Sequence, residues 1–219
     1  MRVRQLFIMT SVYNHRKIFS ERLVTIAEAE CLKLALKGDQ EAFTQIVETY
    51  QNPVYNLCYR MLGTPQAAED AAQETFWRAY KNLNRYDSRR SFATWLLSIA
   101  AHYCIDQQRR KRLPSLDLDE IIEFSAEDPA PNPESQAVHS EFSEDVQRQL
   151  AQLSESDRAV LVLRYWHELS EEEICKTLSV SKSAVKSRLH RARQHMAEQW
   201  TEHQESMTME GRQHETLTI

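Results

Sequence analysis

The amino-acid sequence predicts an all-α chain: two small helical domains joined by a flexible acidic linker, the second a helix-turn-helix of winged-helix-like type. Three observations predict it. The 219 residues include only three glycines and six prolines, whereas Ala, Leu, Glu, Gln and Arg are abundant, a composition that favours helices over a turn-rich sheet. Apolar residues recur at helical spacing in two blocks separated in the chain. Between those blocks Pro114, Pro129, Pro131 and Pro133 stand among acids and serines, and such a stretch cannot bury enough apolar surface to fold alone.

Residues 1–38 read as an N-terminal arm. The first 30 or so mix basic, apolar and polar types without a sustained period, and Met9 is an alternative start. The first domain is expected over residues 39–112. Phe43, Ile46, Val47 and Tyr50 keep a helical period, which resumes with Val54, Leu57, Cys58 and Met61 after Pro53, a residue expected to start a new helix or kink one. Gly63, Thr64 and Pro65 punctuate the chain. Ala68, Ala72, Phe76, Ala79, Tyr80 and Leu83 then mark one face of a second segment, whose other face carries Asp70, Gln73, Glu74 and Trp77. Beyond a loop with Asn84, Asp87 and Ser88, a third helix is defined by Phe92, Trp95, Leu96, Ile99 and Tyr103. It ends in the run Arg109 to Arg112, cations that suit the negative end of a helix dipole.

The linker is expected over residues 113–137. About 25 extended residues at about 3.3 Å each span up to about 80 Å, more than two turns of DNA at about 34 Å per turn. The second domain, residues 138–200, starts its helical pattern near Leu153, where Ser154 and Asp157 have capping-box spacing before Ala159, Val162, Leu163 and Trp166. Ser170 with Glu173 opens a short helix, Ser179 and Val180 turn the chain, and Ser181 caps a last helix. The polar, aperiodic tail, residues 201–219, reads as disordered.

The net charge of -5 would argue against nucleic-acid binding if it were spread evenly, but it is not. From Lys81 to Arg112 eight basic residues face only Asp87 and Asp106, and from Leu113 to Leu150 ten acids face Arg148 alone. Cys31, Cys58, Cys104 and Cys175 form neither a CxxC pair nor a zinc spacing and read as reduced, mostly buried thiols. No apolar run is long enough to span a bilayer, and Leu6 to Met9 is too short for a signal-peptide core, so a soluble cytoplasmic chain is expected.

In residues 170–196 a short capped helix, a tight turn and a longer helix follow one another as in a helix-turn-helix. Val185, Leu189, Ala192 and Met196 line one face of the longer helix. Its cations lie mostly away from that face, so Lys182, Ser183, Lys186 and Ser187 are placed to reach bases and the arginines to meet phosphates. The plainer alternative is an amphipathic surface helix with a solvated basic face. A second basic stretch upstream weighs against it, because Tyr86, Phe92, Trp95 and Tyr103 lie among Arg85, Arg89, Arg90, Arg109 and Arg110. Rings among cations suit unstacked bases, although for Phe92 and Trp95 a core role is the better reading of each residue alone.

Three segments together resemble the extracytoplasmic-function (ECF) sigma factors of the sigma-70 family. AEDAAQETFWRAYKNL (residues 68–83) resembles the polymerase-clamp binding stretch, SFATWLLSIAAHYCIDQQRRKR (residues 91–112) the minus-ten reader, and LSEEEICKTLSVSKSAVKSRLHRARQHM (residues 169–196) the minus-thirty-five reader. The resemblance implies that Asp70, Gln73, Glu74 and Trp77 dock on the beta-prime clamp coiled coil of core RNA polymerase, with a further contact to the beta flap. It implies that the loop and helix start from Arg85 through Tyr86, Arg89, Arg90 and Phe92 to Trp95, with His102, serve the minus-ten element, holding a flipped-out base, and that Arg109 and Arg110 lie on the backbone. It places Ser181, Lys182, Ser183, Lys186, Ser187, Arg188, His190, Arg191 and Arg193 at the minus-thirty-five element of promoter DNA, and implies a regulating anti-sigma factor. The chain departs from the family at Ala101, His102, Cys175 and Ser179, where Arg, Asn, Ala and Gly are frequent.

Two rival classes remain. One is a helix-turn-helix regulator whose residues 39–112 sense a ligand or dimerise. The other is an enzyme using Cys104 beside His102 and Asp106. Residues at i, i+2 and i+4 on one helix do not converge, and no phosphate loop or metal spacing occurs, so no catalytic residue, metal, cofactor, membrane contact or small-molecule substrate is expected.

Overall fold

The computed structural model describes residues 24–112 and 144–215, and side chains within 28–112 and 144–199. The expected linker, residues 113–137, lies outside the described residues. The first lobe holds α1 (Val24–Leu36), α2 (Gln40–Leu62), α3 (Pro65–Lys81), a 3-10 turn (Leu83–Arg85) and α4 (Phe92–Arg112). The second holds α5 (residues 144–152), α6 (Glu155–Tyr165), α7 (Glu171–Leu178) and α8 (Lys182–Glu215). No strand, and hence no β-wing, occurs among the described residues.

Local chemistry sets the helix ends. Asp39 Oδ1 accepts from the Ala42 N–H at 3.1 Å to open α2, and Gly63, at φ +91°, closes it by donating to Tyr59 O. Thr64 Oγ1 then caps α3 and Pro65 fills its first position, where a missing N–H costs nothing. Ser170 and Glu173 form the complete capping box expected from sequence. Ser154 accepts from the Asp157 N–H at 3.2 Å, but the Asp157 carboxylate turns away to Arg191.

The first lobe packs Ile46, Val54, Leu57 and Met61 of α2 against Ala68, Ala71 and Ala79 of α3 and Phe92, Leu96, Leu97 and Ala100 of α4. Alanines on α3 keep that interface thin. In the second lobe Val146, Leu150, Val160 to Leu163, Ile174, Val185, Leu189 and Met196 are buried around the helix-turn-helix, and the buried residues of both lobes join in one apolar cluster. The lobes also pack together, α4 against α6 and α7, and α2 against α6. Carbonyls at the end of α2 also accept across this contact: Gln147 Nε2 donates to Tyr59 O (3.1 Å), which already takes the Gly63 N–H, and to Arg60 O (3.3 Å), and Arg158 donates to Met61 O.

Three expectations are corrected. The segment read as an arm up to residue 38 contains α1, which buries Leu32 and Ala35 in the first-lobe core, so the lobe begins earlier than residue 39. Of the two outcomes expected at Pro53, a new helix or a kink, the new helix does not occur: α2 runs through it, with the ring buried in the core. The tail read as disordered from residue 201 continues α8 as helical backbone to Glu215.

Candidate nucleic-acid interface

The loop before α4 is built from rings. Phe92 makes edge contacts with Tyr50 (centroids 5.5 Å apart) and Tyr86 (5.3 Å), and Trp95 lies 5.4 Å from Tyr86 and 5.5 Å from Phe92. Phe92 is 1% exposed and therefore cannot stack on a base. It leaves the candidate set and acts as the floor of the cluster. Tyr86 and Trp95 are half-buried, each keeping some accessible surface. The Tyr86 hydroxyl donates to Arg90 O at 2.5 Å, which holds the loop, while Arg85, Arg89 and Arg90 are exposed around it. Asp87 takes three side-chain bonds, two from Nε and one from Nη2, and one backbone bond from Arg89, and these hold its carboxyl down at about 2.

Further along α4, His102 is exposed with Nδ1 2.7 Å from Ser98 O, and Arg109 and Arg110 are exposed on the last turn. Arg109 does not point freely into solvent: Nε lies 3.4 Å from Glu155 Oε1, and Arg112 Nη1 lies 2.9 Å from Glu155 Oε2. Glu155 belongs to the second lobe, and its own backbone N–H at the start of α6, joined by the two arginines, draws its carboxyl below the usual glutamate value. Cys104, the nucleophile of the rival enzyme reading, is buried against Cys58. Its bond to that thiol and its burial push it well above an ordinary thiol, the opposite of activation.

On α8, Val185, Leu189, Ala192 and Met196 are buried, and Ser181, Lys182, Ser183, Lys186, Ser187, His190, Arg191 and Arg193 are exposed, with Arg188 between. A helix with its N-terminal turns bare on one side is thereby presented by α6 and α7. Lys182 pairs with Glu172 at 2.9 Å, Arg193 Nε donates to the Tyr165 hydroxyl at 2.8 Å, and Arg191 is held by Asp157.

A separate surface lies between α2 and α3. Phe43, Val47, Phe76, Trp77 and Tyr80 line a shallow groove of about 480 Å³, bordered by Gln73. Trp77 is 52% exposed, an uncommon position for a ring of that size, with Lys81 Nζ 4.3 Å from its centroid. Asp70 and Gln73 are exposed beside it, and Glu74 is half-buried and pairs with Arg78 at 2.6 Å.

The chain matches the family models "Sigma-70 region 2" over residues 46–113 and "Sigma-70, region 4" over residues 143–196. It is 40% identical over 176 residues to the ECF RNA polymerase sigma factor SigW of Bacillus subtilis, covering 77% of this chain and 94% of that protein. The chain belongs to the ECF sigma factors of RNA polymerase. The ECF RNA polymerase sigma-E factor of Escherichia coli is 34% identical over 72% of this chain and 86% of that protein. Among solved structures, CnrH in complex with the cytosolic domain of CnrY has a TM-score of 0.59 at 24% identity, covering 78% of this chain and 95% of that one. RpoE of Bartonella quintana in complex with the anti-sigma factor NepR has a TM-score of 0.55 at 18% identity, covering 73% and 96%; both show the same fold.

This sigma factor therefore carries its region 2 on the first lobe and its region 4 on the second. Sequence reasoning missed Glu155, Asp157 and the groove residues Phe43 and Val47. The first two pair across 34 to 46 residues, a separation that no local spacing signals.

Proposed function

We propose that this sigma factor docks on core RNA polymerase through the α3 face Asp70, Gln73, Glu74 and Trp77 and uses its two exposed basic surfaces on the minus-ten and minus-thirty-five elements. The observation that carries the docking reading is Trp77, half exposed above a groove lined by Phe43, Val47, Phe76 and Tyr80, an apolar surface suited to an amphipathic helical partner. In region 2, Tyr86 and Trp95 with Arg85, Arg89, Arg90, His102, Arg109 and Arg110 engage the non-template strand. In region 4, the bare turns of α8 enter the major groove.

The chain performs no bond chemistry in this reading. Melting DNA costs stacking, and a pocket that traps an extruded base offsets that cost, so opening starts where the pocket is presented. Each lobe alone touches few phosphates and binds weakly at physiological salt. Held on one polymerase, the second contact becomes intramolecular and its effective concentration rises. The beta flap is the second polymerase contact, and the cytoplasm is the place of action; among the described residues no helix is long and apolar enough to cross a membrane. Control by an anti-sigma factor is supported by a protein of the same fold, RpoE of Bartonella quintana, solved with the anti-sigma factor NepR.

Trp77→Ala tests the docking face. Truncating a central aromatic of this kind is expected to weaken core binding by roughly 2 kcal/mol, about 30-fold, with the melting temperature unchanged because the ring is exposed. Wild-type affinity for core in a titration would remove the groove from the reading.

A further inference from the structure

Among the cations of α8, Arg191 is bound differently from its neighbours. Its Nη2 lies 2.8 Å from Asp157 Oδ1 and its Nε 3.3 Å from Asp157 Oδ2, so two N–H groups along one edge of the guanidinium meet both oxygens of a single carboxylate. The Asp157 side chain is 12% exposed, against 58% for Arg191, so the fixed partner is the acid. Lys182 contrasts with it: that lysine meets Glu172, and both are more than half exposed.

The carboxylate is well placed for this role. Asp157 sits in the first turn of α6, where the helix dipole favours a negative charge, and its backbone N–H is taken by Ser154. The spacing of a capping box is present, yet the carboxylate is spent on α8 rather than on the cap. It thereby ties the first turn of α6 to the third turn of the helix-turn-helix's exposed helix.

An arginine has five N–H donors in a rigid fork. Asp157 occupies Nε–H and one hydrogen of Nη2, leaving the end-on edge, one hydrogen each of Nη1 and Nη2, for another partner. That edge matches the two acceptors a guanine shows in the major groove. The same carboxylate offsets the charge, so the held arginine is a poorer phosphate clamp than a free one. We infer that Asp157 is a positioning residue that turns Arg191 from a mobile phosphate contact into an oriented base reader, making it a determinant of minus-thirty-five specificity. This rests on the reading that α8 enters the major groove.

The test uses holoenzyme assembled on core polymerase. The probes are a promoter fragment, chosen by sequencing transcript starts after overexpression, and the same fragment with its minus-thirty-five element scrambled. Asp157→Asn keeps the size of the side chain and removes its charge. Discrimination between the two fragments is expected to fall about 10-fold, and the slope of log K against log salt to steepen by about 1 as the released arginine takes a phosphate. Asp157→Glu restores both, and in an Arg191→Gln background Asp157→Asn changes neither. A melting curve for each variant reports folding separately, and the double-variant comparison holds even if stability drops. If Arg191→Gln lowers discrimination while Asp157→Asn leaves discrimination and slope at wild-type values, the positioning role is overturned and the reading of α8 stands. If Arg191→Gln itself changes nothing, Arg191 reads no base, and the role assigned to both residues fails.

Discussion

Ser179 closes α7 in the left-handed region, at φ +54°, and its backbone N–H returns to Cys175 O. A side chain in that conformation costs about 1 kcal/mol, partly offset in a glycine variant by glycine's greater freedom when unfolded. Ser179→Gly is therefore expected to stabilise the lobe by about 0.5 kcal/mol and raise the melting temperature by about 1 to 2 °C, read by calorimetry; a lower melting temperature would contradict the assignment of strain. The turn itself was legible, because Ser170 with Glu173 and Ser181 bracket it by local bonding alone. Phe92 is a ring among cations by sequence, yet the better reading of it as a single residue, a core role, holds: Tyr50, Tyr86 and Trp95 converge on it as the floor of the cluster. Asp157 shows where local reading stops, since its capping spacing is real but its carboxylate bonds across the lobe.

At the scale of elements, periodicity located α2, α3, α4, α6, α7 and α8 because each buries one stripe against neighbours and leaves the other wet. It failed for α1. That helix is short, and its two described core residues, Leu32 and Ala35, are too few to make a period against a background of mixed residues. Its membership of the first lobe is testable. Leu32→Ala, 8% exposed in the wild type, should cost about 2 kcal/mol, whereas Leu34→Ala, 37% exposed, should stay within about 0.5 kcal/mol. Equal, negligible effects in denaturant titrations would return residues 24–38 to an arm. Pro53 does not end α2, because the helix packs on α1, α3 and α4 and that tertiary packing outweighs the one hydrogen bond a proline removes. The groove face was half legible, since Trp77 stood out among acids, but Phe43 and Val47 join it only when α2 is laid beside α3.

At the scale of the whole molecule, Glu155 links the lobes by meeting Arg109 and Arg112 of region 2 from the first turn of region 4. Its carboxyl lies below the ordinary glutamate value in the packed arrangement, so its contribution is complete above that value of 4.5 and is lost as pH falls through the depressed one. Energy transfer between dyes on the two lobes should therefore drop on acidification below about 4.5, and Glu155→Gln should weaken the packing and remove that pH dependence; an unchanged profile in the variant would contradict it. The same contact occupies Arg109, which the minus-ten reading needs, so DNA must compete with Glu155 for it. Division into two lobes was legible from charge and proline placement, whereas their packing was not, because Gln147 and Arg158 reach carbonyls of α2 almost a hundred residues away. The central claim is that two weak basic surfaces add up to strand opening only on a shared polymerase. Run-off transcription from one of its promoters tests this directly, using sigma-free core with and without the chain. Initiation should require both chain and core, with the isolated chain giving no tight sequence-specific gel shift; absence of transcript with both present, or a tight shift by the chain alone, would contradict the account.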